Sequence, residues 1–374
     1  MNRSTSLYLD ATRFIAALLV FADHACGSRI SGGFGWQLAD YGPEAVAVFF
    51  VLSGFVIAHA TASRELSPQS YAVARGARIY SVALPALVFT AIADAIGRSV
   101  SPALYSGPWH AALDWHFLGA AAFVNELWTV SFNPGSDWSY WSLGYEVWYY
   151  AIFGALAFAP RRFGLLAAAG LLLLVGPSIA ALFPLWLVGV GAYRVCTRHP
   201  MGRTAGLLLF LGSLAAWGAY EVMAWRHGRF LLRQPEMLVW LKRPELPQYY
   251  VVGLAFAGSL IGFRSASEWI EPFAARHRFA ALRWAAGATL SIYLFHEPLL
   301  RLLATLNPWP PGSWRGRTLV LGGTLIVVFA LAELTERRKG AWRRGILALV
   351  ERAKVGAHSR AVAKLSSPAS ETGV

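Results

Sequence analysis

The chain repeats one pattern along most of its length, in which a long apolar segment is followed by a short loop that carries basic residues. Each segment is about 20 residues long, the length that an α-helix needs to cross the hydrocarbon core of a bilayer. The pattern predicts an all-α polytopic integral membrane protein, a bundle of about ten transmembrane helices. The predicted segments are 9–27, 43–62, 79–97, 138–158, 163–181, 182–197, 204–224, 248–264, 286–306 and 317–336.

Two stretches need separate treatment. Residues 163–197 are apolar throughout but are interrupted at Gly176-Pro177 and again at Pro184, so they are interpreted as two helices joined by a tight turn. A weaker apolar run at 115–131 is broken by polar residues, and we expect it to be interfacial or re-entrant.

Composition agrees with a membrane protein and excludes a nucleic-acid partner. Hydrophobic residues make up 56% of the chain and charged residues only 14%, whereas soluble domains are about a quarter charged. The net charge of +13 comes from basic residues in short loops, as the positive-inside rule predicts. Cys26 and Cys196 are predicted to be unpaired and structural, and the sequence contains no metal-binding motif.

The loop charges also predict orientation. Basic residues after every even-numbered segment place both termini in the cytoplasm and the long loop 98–137 outside. The basic loop 225–247 then faces outward, against the rule. Three explanations stay open for this loop: an error in the helix count, a solvated loop without a specific role, or a contact with substrate.

The sequence also predicts the fate of the first segment and the nature of the C-terminal tail. The first segment lacks a cleavage site for a signal peptide and is expected to be retained. Residues 1–340 are predicted to form one membrane-embedded domain, and 341–374 a basic cytoplasmic tail. Within that tail, 341–355 fits an amphipathic helix on the anionic leaflet, and the last fifteen or so residues are expected to be disordered.

The first apolar segment keeps two costly side chains, Arg13 and His24. An arginine at the centre of a membrane helix costs roughly 2.5–3.5 kcal/mol on insertion scales, so its presence suggests a function. The two residues are about 16 Å apart along a helix, roughly half the thickness of the hydrocarbon core. One end of this helix is therefore predicted to bind something near one membrane face, while the other end does chemistry deeper in the bundle.

Three further groups of ionisable residues lie in or beside other segments. Arg75 and Arg78 are three residues apart, which puts both guanidiniums on one helix face where they can bind phosphate. Glu146 lies among aromatic residues of the fourth segment, and His296 and Glu297 lie in the ninth. Intramembrane ionisable residues are functional candidates by default.

Each of these groups also has a structural explanation when taken alone. The arginine pair fits a positive-inside anchor, the glutamate a buried ion pair, and the histidine a satisfied core residue. Four such groups on separate helices favour a shared functional site. Ser53-Gly54 in the second segment is interpreted as a close helix contact rather than a nucleophile, because no base is adjacent and the serine can bond its own helix.

These motifs together resemble the membrane acyltransferase-3 family, the integral-membrane O-acyltransferases of bacterial surface and exported glycans. The resemblance covers about residues 7–336, and each motif gains weight from its order along the chain. Two departures from the family pattern are Asp23 before His24 and Gly144-Tyr145 inside the fourth-segment motif. The matching motifs are Arg13-x10-His24, Phe49-Phe-Val-Leu-Ser-Gly-Phe55, Arg75-Gly-Ala-Arg78, Trp141-Ser-Leu-Gly-Tyr-Glu146 and Ser291-Ile-Tyr-Leu-Phe-His296.

The resemblance implies transfer of an acyl group, most often acetyl, from acyl-CoA to a hydroxyl of a glycan or glycolipid. His24 is the predicted general base, because histidine titrates near neutral pH, and Glu146 is its expected partner from another helix. A covalent acyl-histidine is the alternative. The donor phosphates are assigned to Arg13, Arg75 and Arg78. The acceptor pocket is assigned to Trp141, Ser142, Tyr293 and His296.

The expected setting is a bacterial inner membrane, with the lipid bilayer, acyl-CoA and the acceptor as partners, no metal, and self-association left open. The main rival function is a transporter or flippase for a glycan or lipid-linked intermediate, since buried charges and proline breaks also suit transport. The sequence shows no internal repeat that would favour it. A structural scaffold is the third reading, and it predicts that the buried ionisable residues are replaceable.

Overall fold

The computed structural model of the protein describes residues 1–105, 115–227, 241–243, 245–277 and 279–366. The described residues form helices joined by turns and loops, without a β-strand, so the predicted all-α class is confirmed. The helices are α1 (Arg3–Ala25), α2 (Ser28–Ser31), α3 (Gly42–Ser63), α4 (Pro68–Val100), α5 (Trp115–Ala121), α6 (Tyr140–Phe158), α7 (Arg161–Val175), α8 (Pro177–Arg198), α9 (Arg203–His227), α10 (Leu246–Ala266), α11 (Glu271–Arg276), α12 (Ala280–Ala286), α13 (Thr289–Leu306), α14 (Trp314–Arg317), α15 (Gly323–Leu334) and α16 (Lys339–Ser366).

All ten predicted segments contain a helix, and seven described helices are long and apolar enough to span a bilayer. The seven include α1, α3, α4, α8, α9 and α10, and the seventh is the continuous helical run from Trp314 to Lys354. The remaining predicted segments correspond to α6, α7 and α13. Of these, α7 has only 15 residues, and α6 and α13, with 19 and 18 residues, carry buried polar side chains.

The outer surface of the bundle suits lipid. Leu166 on α7 and Leu208 on α9 are 69% and 68% exposed, and many other large apolar side chains on these helices face outward as well. Apolar surface of this extent would be a liability in water and is the ordinary surface of a membrane helix. The chain is therefore a polytopic membrane protein.

The boundary between α7 and α8 lies at Gly176 rather than at residue 181 as the segment assignment predicted. Gly176 has φ of 83°, a conformation that glycine adopts without strain, and a Cβ there would lie 2.8 Å from the backbone of Trp128. Pro177 then begins α8 at a position where its missing N–H costs no hydrogen bond. Pro184 lies inside α8, so it does not end the helix as expected.

Helices α3 and α8 approach each other through two glycines. A Cβ on Gly54 would overlap the carbonyl of Trp186, and a Cβ on Gly189 would overlap the carbonyl of Val51. Small residues allow such backbone contacts between membrane helices. The predicted packing role of Gly54 is confirmed, and the contact fixes α3, which carries Ser53, against the rest of the bundle.

The segment between α5 and α6 is irregular, and its acidic side chains are buried. Helix α5 is short, and Glu126 and Asp137 in the following residues are 1% and 0% exposed. Non-helical backbone at this depth is tolerated where protein covers it. Residues of this segment, among them Glu126 and Ser131, line a cavity described below.

The tail forms a helix that packs against α4. Lys354 donates a hydrogen bond to Gln69 at 2.7 Å, and Ile346 contacts the Gly76 backbone region of α4. The predicted helix over 341–355 lies inside α16. Helix α16 ends at Ser366, and 367–374 lie outside the described residues, so the expected disorder at the end of the tail stays a prediction.

Candidate active site

Two cavities in the described part of the bundle contain predicted site residues, and the first of them contains Arg13 and Arg78. Its polar wall consists of side chains from five helices, α1, α3, α4, α6 and α13. Its other wall is apolar and comes mainly from α3. The polar lining is Arg13, Ser53, Arg78, Ser142, Glu146, Thr289 and Tyr293, and the apolar lining is Phe49, Phe50, Leu52, Val56, Leu143 and Leu290.

The lining of the first cavity includes two guanidinium groups and one carboxylate. Arg13 and Arg78 interact electrostatically with each other, and both interact with Glu146 and Glu336. Glu336 also accepts hydrogen bonds from the backbone N–H of Ser291 at 2.9 Å and from its hydroxyl at 3.1 Å. Two guanidiniums that line the same partly apolar cavity can form a site for an anion.

Glu146 belongs to the first cavity and is hydrogen-bonded there. It accepts from the Ser53 hydroxyl at 2.6 Å and from the Tyr150 hydroxyl. Ser53 therefore donates its hydrogen bond to a carboxylate on another helix. The sequence interpretation had expected a bond to a carbonyl of its own helix. The Glu146 carboxylate is thereby directed toward the arginines of this cavity.

Arg75 and Arg78 are separated by the fold despite their shared helix face. Arg78 lines the first cavity, whereas Arg75 forms an ion pair with Glu65 and lines a neighbouring groove. The guanidinium of Arg75 also lies 5.7 Å from the centre of the Tyr150 ring. Of the two arginines, Arg78 is the one that faces Arg13.

The second cavity contains His24 and is mostly polar. Residues from α1, α3, α6, α10 and α13 meet there with the irregular segment before α6 and with the end of the basic loop. Its polar and aromatic lining is Asp23, His24, Glu126, Ser131, Asn133, Trp138, Ser139, Trp141, Arg243, Glu245, Tyr249 and Tyr293. This cavity offers hydrogen-bond donors and acceptors on several sides, in contrast to the apolar wall of the first.

His24 is paired with His296, the second predicted histidine. The Nδ1 atom of His24 lies 2.8 Å from Nε2 of His296, and the two rings are stacked with centres 5.1 Å apart. His296 is fully buried, and its Nδ1 lies 2.8 Å from the Ile292 carbonyl and 2.9 Å from the Tyr293 carbonyl.

The hydrogen bonds of this pair fix its tautomers. Carbonyl oxygens only accept, so Nδ1 of His296 carries a hydrogen, and in the neutral ring Nε2 is then an acceptor. Nδ1 of His24 must donate to that acceptor. This leaves Nε2 of neutral His24 with a free lone pair, on a side chain that lines the second cavity.

Glu297 is the carboxylate beside His24. Its Oε2 lies 3.9 Å from Nδ1 of His24 and accepts from the backbone N–H of Trp138 at 3.0 Å. The sequence interpretation expected Glu146 in this position, and that contact was wrong, because Glu146 is directed into the first cavity. Glu297 follows His296 directly, so the same turn of α13 supplies both neighbours of His24.

Arg243 is a cavity residue that the sequence interpretation did not single out. It lies in the basic loop, of which 228–240 and 244 are outside the described residues. Its guanidinium lies 3.5 Å from the centre of the Trp141 ring and pairs with Glu126 at 3.3 Å. Glu126 also accepts from Ser131 at 2.9 Å. The signal that pointed here was the violation of the positive-inside rule by this loop.

Tyr293 lines both cavities, and Ser142 lines the first. Their hydroxyl oxygens are 2.6 Å apart, and the edge of the Tyr293 ring packs on Phe49. Tyr293 lies one turn before His296 on α13, with the two ring centres 6.5 Å apart. The pair thus connects the arginine-containing cavity to the histidine-containing one.

The structure brings together most of the predicted site residues. Arg13, Arg78, Glu146 and Ser142 meet in the first cavity, His24 and Trp141 line the second, and Tyr293 lines both. His296 lies behind His24 as its hydrogen-bond partner. Within the described ranges, no cluster of three or more His, Cys, Asp or Glu side chains is arranged to hold a metal ion.

Comparison with protein families matches most of the chain. The acyltransferase-3 family model, described as an acyltransferase domain, matches residues 6–333 of the chain. No curated protein and no solved structure matches at a significant level. The matched region begins in the first turn of α1 and ends in α15, and so includes every helix that lines the two cavities.

Proposed function

The chain belongs to the acyltransferase-3 family and is a membrane acyltransferase, and from this premise we propose that it moves an acyl group, acetyl by preference, from acyl-CoA to a hydroxyl of a glycan or glycolipid. The observation that carries the proposal is the pairing of two chemically different cavities that adjoin at Tyr293. A cationic, partly apolar cavity suits a phosphorylated thioester, and a polar cavity with an imidazole suits a hydroxyl compound.

The donor binds in the first cavity. Arg13 and Arg78 hold phosphate oxygens of coenzyme A, since guanidinium groups bind phosphate through paired hydrogen bonds. The apolar wall from α3 receives the acyl end of the molecule. Arg75, which is paired with Glu65, lines a separate groove and does not line this cavity.

The acceptor hydroxyl is activated in the second cavity. A hydroxyl is a weak nucleophile until a base takes its proton in the transition state. Nε2 of His24 is the free base there, and His296 holds the ring by its other nitrogen. Glu297 lies where it stabilises the imidazolium that forms. A covalent acyl-histidine uses the same lone pair and is the mechanistic alternative.

The polar lining of the second cavity supports a sugar as the acceptor. Trp138 offers an aromatic surface, and Ser131, Asn133 and Glu126 offer hydrogen-bonding groups around it. The loop charges orient the first cavity toward the cytoplasm, where acyl-CoA is made, and the second toward the outside. The proposed location is a bacterial inner membrane with both termini cytoplasmic.

The test measures covalent transfer. Membranes from cells that express the chain are incubated with radiolabelled acetyl-CoA, and labelled ester in the extracted glycans and glycolipids is quantified. His24→Ala should lose the label, and His59→Ala, at the end of α3 and outside both cavities, should keep it. Unmodified glycan moving across the membrane without label would favour the transporter, and label retained by His24→Ala would remove His24 as the base.

A further inference from the structure

The hydroxyl pair of Tyr293 and Ser142 has a property that none of the assigned roles uses. Both side chains are buried, at 7% and 8% exposed for the two residues, yet both face cavity space. Buried hydroxyls normally satisfy their hydrogen-bonding groups within the protein. In the described part of the chain, each of these two hydroxyls has the other as its hydrogen-bond partner.

Counting hydrogens shows what the pair can still offer. Two hydroxyls carry two O–H hydrogens, and the single bond between them uses one, whichever oxygen donates. One O–H is therefore left over, and it is polarised by the hydrogen bond that its own oxygen accepts. This remaining donor lies at the junction of the two cavities.

We propose that the Tyr293–Ser142 pair donates this remaining hydrogen bond to the carbonyl oxygen of the acyl thioester, and so marks the point where the acyl group leaves the donor. The inference rests on the proposed function. The donor carbonyl must reach the junction from the first cavity, and the acceptor hydroxyl must reach it from the second. Tyr293 is the side chain that faces both.

The pair assists the attack of the acceptor hydroxyl on the thioester carbonyl. Nε2 of His24 takes the proton of the acceptor hydroxyl as its oxygen forms a bond to the carbonyl carbon, and the carbonyl π electrons move to oxygen. The hydroxyl pair donates to that oxyanion, where preorganised donors have their largest effect. The C=O bond then re-forms, the C–S bond breaks, and the coenzyme A thiolate takes the proton from His24.

Binding of two uncleavable analogues tests the carbonyl contact without an acceptor. Acetyl-carba(dethia)-CoA keeps the carbonyl and replaces the sulfur with methylene, whereas S-ethyl-CoA lacks the carbonyl oxygen. Purified full-length protein in lipid nanodiscs should prefer the first by about 5–10-fold, the effect of one typical hydrogen bond. The double variant Tyr293→Phe/Ser142→Ala should lose that preference while S-ethyl-CoA binds as in the wild type, which also shows that the variant folds.

A second Tyr–Ser pair in the same protein supplies the matched control. The Tyr8 hydroxyl lies 3.0 Å from the Ser259 hydroxyl, between α1 and α10 and outside both cavities. Tyr8→Phe should keep the preference for the carbonyl analogue and the transferase activity of the wild type. In the labelled-membrane assay the double variant at 293 and 142 should fall by about 10²–10³-fold. Each single variant should fall less, because one hydroxyl remains.

The outcomes separate the inference from the proposed function. Failure of both analogues to bind the wild type would refute the coenzyme A donor, and the inference with it. Normal donor binding and transfer with an unchanged carbonyl preference in the double variant would overturn the inference alone. A loss in Tyr8→Phe equal to that in the double variant would show that the effect is structural.

Discussion

His24 and His296 are joined by a hydrogen bond of 2.8 Å between Nδ1 of the first and Nε2 of the second. The direction of this bond follows from the two carbonyl oxygens that accept from the other side of His296. One imidazole thus sets the tautomer of another, in the place that a carboxylate takes in many catalytic triads.

Replacing His296 should therefore lower the rate of transfer more than it weakens donor binding. His296→Leu removes the acceptor for the Nδ1 hydrogen of His24, and the maximal rate should fall by roughly 10²–10⁴-fold, as when the orienting group of a triad is lost. His296→Gln keeps an oxygen acceptor and should retain more of the activity. The measurement is the initial rate and the KM for acetyl-CoA, with His59→Leu as the control. An equal loss in the Leu and Gln variants would argue against a positioning role.

Replacing Arg78 should weaken donor binding more than replacing Arg75 does, although the two residues lie one turn apart. Arg78→Ala removes a guanidinium that lines the first cavity, so the Kd for coenzyme A should rise by about 10-fold or more. Arg75→Ala breaks the ion pair with Glu65 and should lower stability more than affinity. Arg161→Ala, on the exposed start of α7, is the control for total charge. Calorimetric titration with coenzyme A measures the difference, and identical Kd values in all three variants would contradict the assignment.

Replacing only one partner of the buried ion pair between Arg243 and Glu126 should lower the stability of the protein. Arg243→Met leaves the Glu126 side chain, which is 2% exposed, without its counter-charge, and should destabilise the protein by about 3–5 kcal/mol. Adding Glu126→Gln should restore much of that loss. Arg203→Met breaks the exposed pair with Glu268 and should cost less than about 1 kcal/mol. Apparent melting temperatures in detergent report the order, which would be reversed if the Arg243 pair were a solvated contact.

The contact between α3 and α8 should tolerate no added methyl group at Gly189. Its Cβ would overlap the Val51 carbonyl, so Gly189→Ala must push the helices apart and should cost about 1–3 kcal/mol, as overpacking does. Gly191 lies two residues further along α8, with open space where its Cβ would be. Gly191→Ala should be neutral or slightly stabilising because alanine favours the helix. Melting temperatures of the two variants give the comparison, and similar values would remove the close-approach argument.

Asp137 should make stability depend on pH. Complete burial, with Glu297 and Asp94 nearby, raises the pKa of Asp137 well above that of an ordinary aspartic acid. The folded protein keeps this proton above about pH 4, where the unfolded chain releases it, so the native state loses stability as pH rises toward the folded pKa.

Asp137→Asn should remove this dependence. The variant should gain over the wild type as pH rises from 5 to 8, by about 1.4 kcal/mol for each unit of the pKa shift within that window. The measurement is the apparent melting temperature at both pH values. Asp40→Asn, at an exposed position, should show no such gain. A gain at Asp137 that is equal at pH 5 and pH 8 would exclude titration as its cause.

Sequence reasoning located the helices well because a membrane span needs a fixed length of apolar chain. It also picked the helices that carry Arg13, His24, Glu146 and His296, since ionisable side chains stand out against apolar neighbours. It could not tell which of these face one another, because helix rotation depends on contacts between distant segments. Glu146 was therefore paired with the wrong neighbour, and Arg75 was grouped with Arg78 by spacing that the Glu65 pair overrides.

The basic loop shows a different limit. Arg243 lies in a stretch without helical periodicity, and its partners Trp141 and Glu126 come from distant parts of the chain. Only the topological conflict of the loop marked it as unusual. A residue whose position is set by a buried ion pair and an aromatic ring cannot be assigned to a cavity before that cavity is known.

The two histidines are 272 residues apart in sequence, one on α1 and the other on α13. At about 5–20 residues per second, a ribosome adds His296 roughly 15–55 s after it adds His24. Until then, α1 lies in the bilayer without His296, the hydrogen-bond partner of His24. The imidazole pair therefore forms only after α13 has been made, and a chain that stops before α13 lacks the hydrogen bond between the two rings.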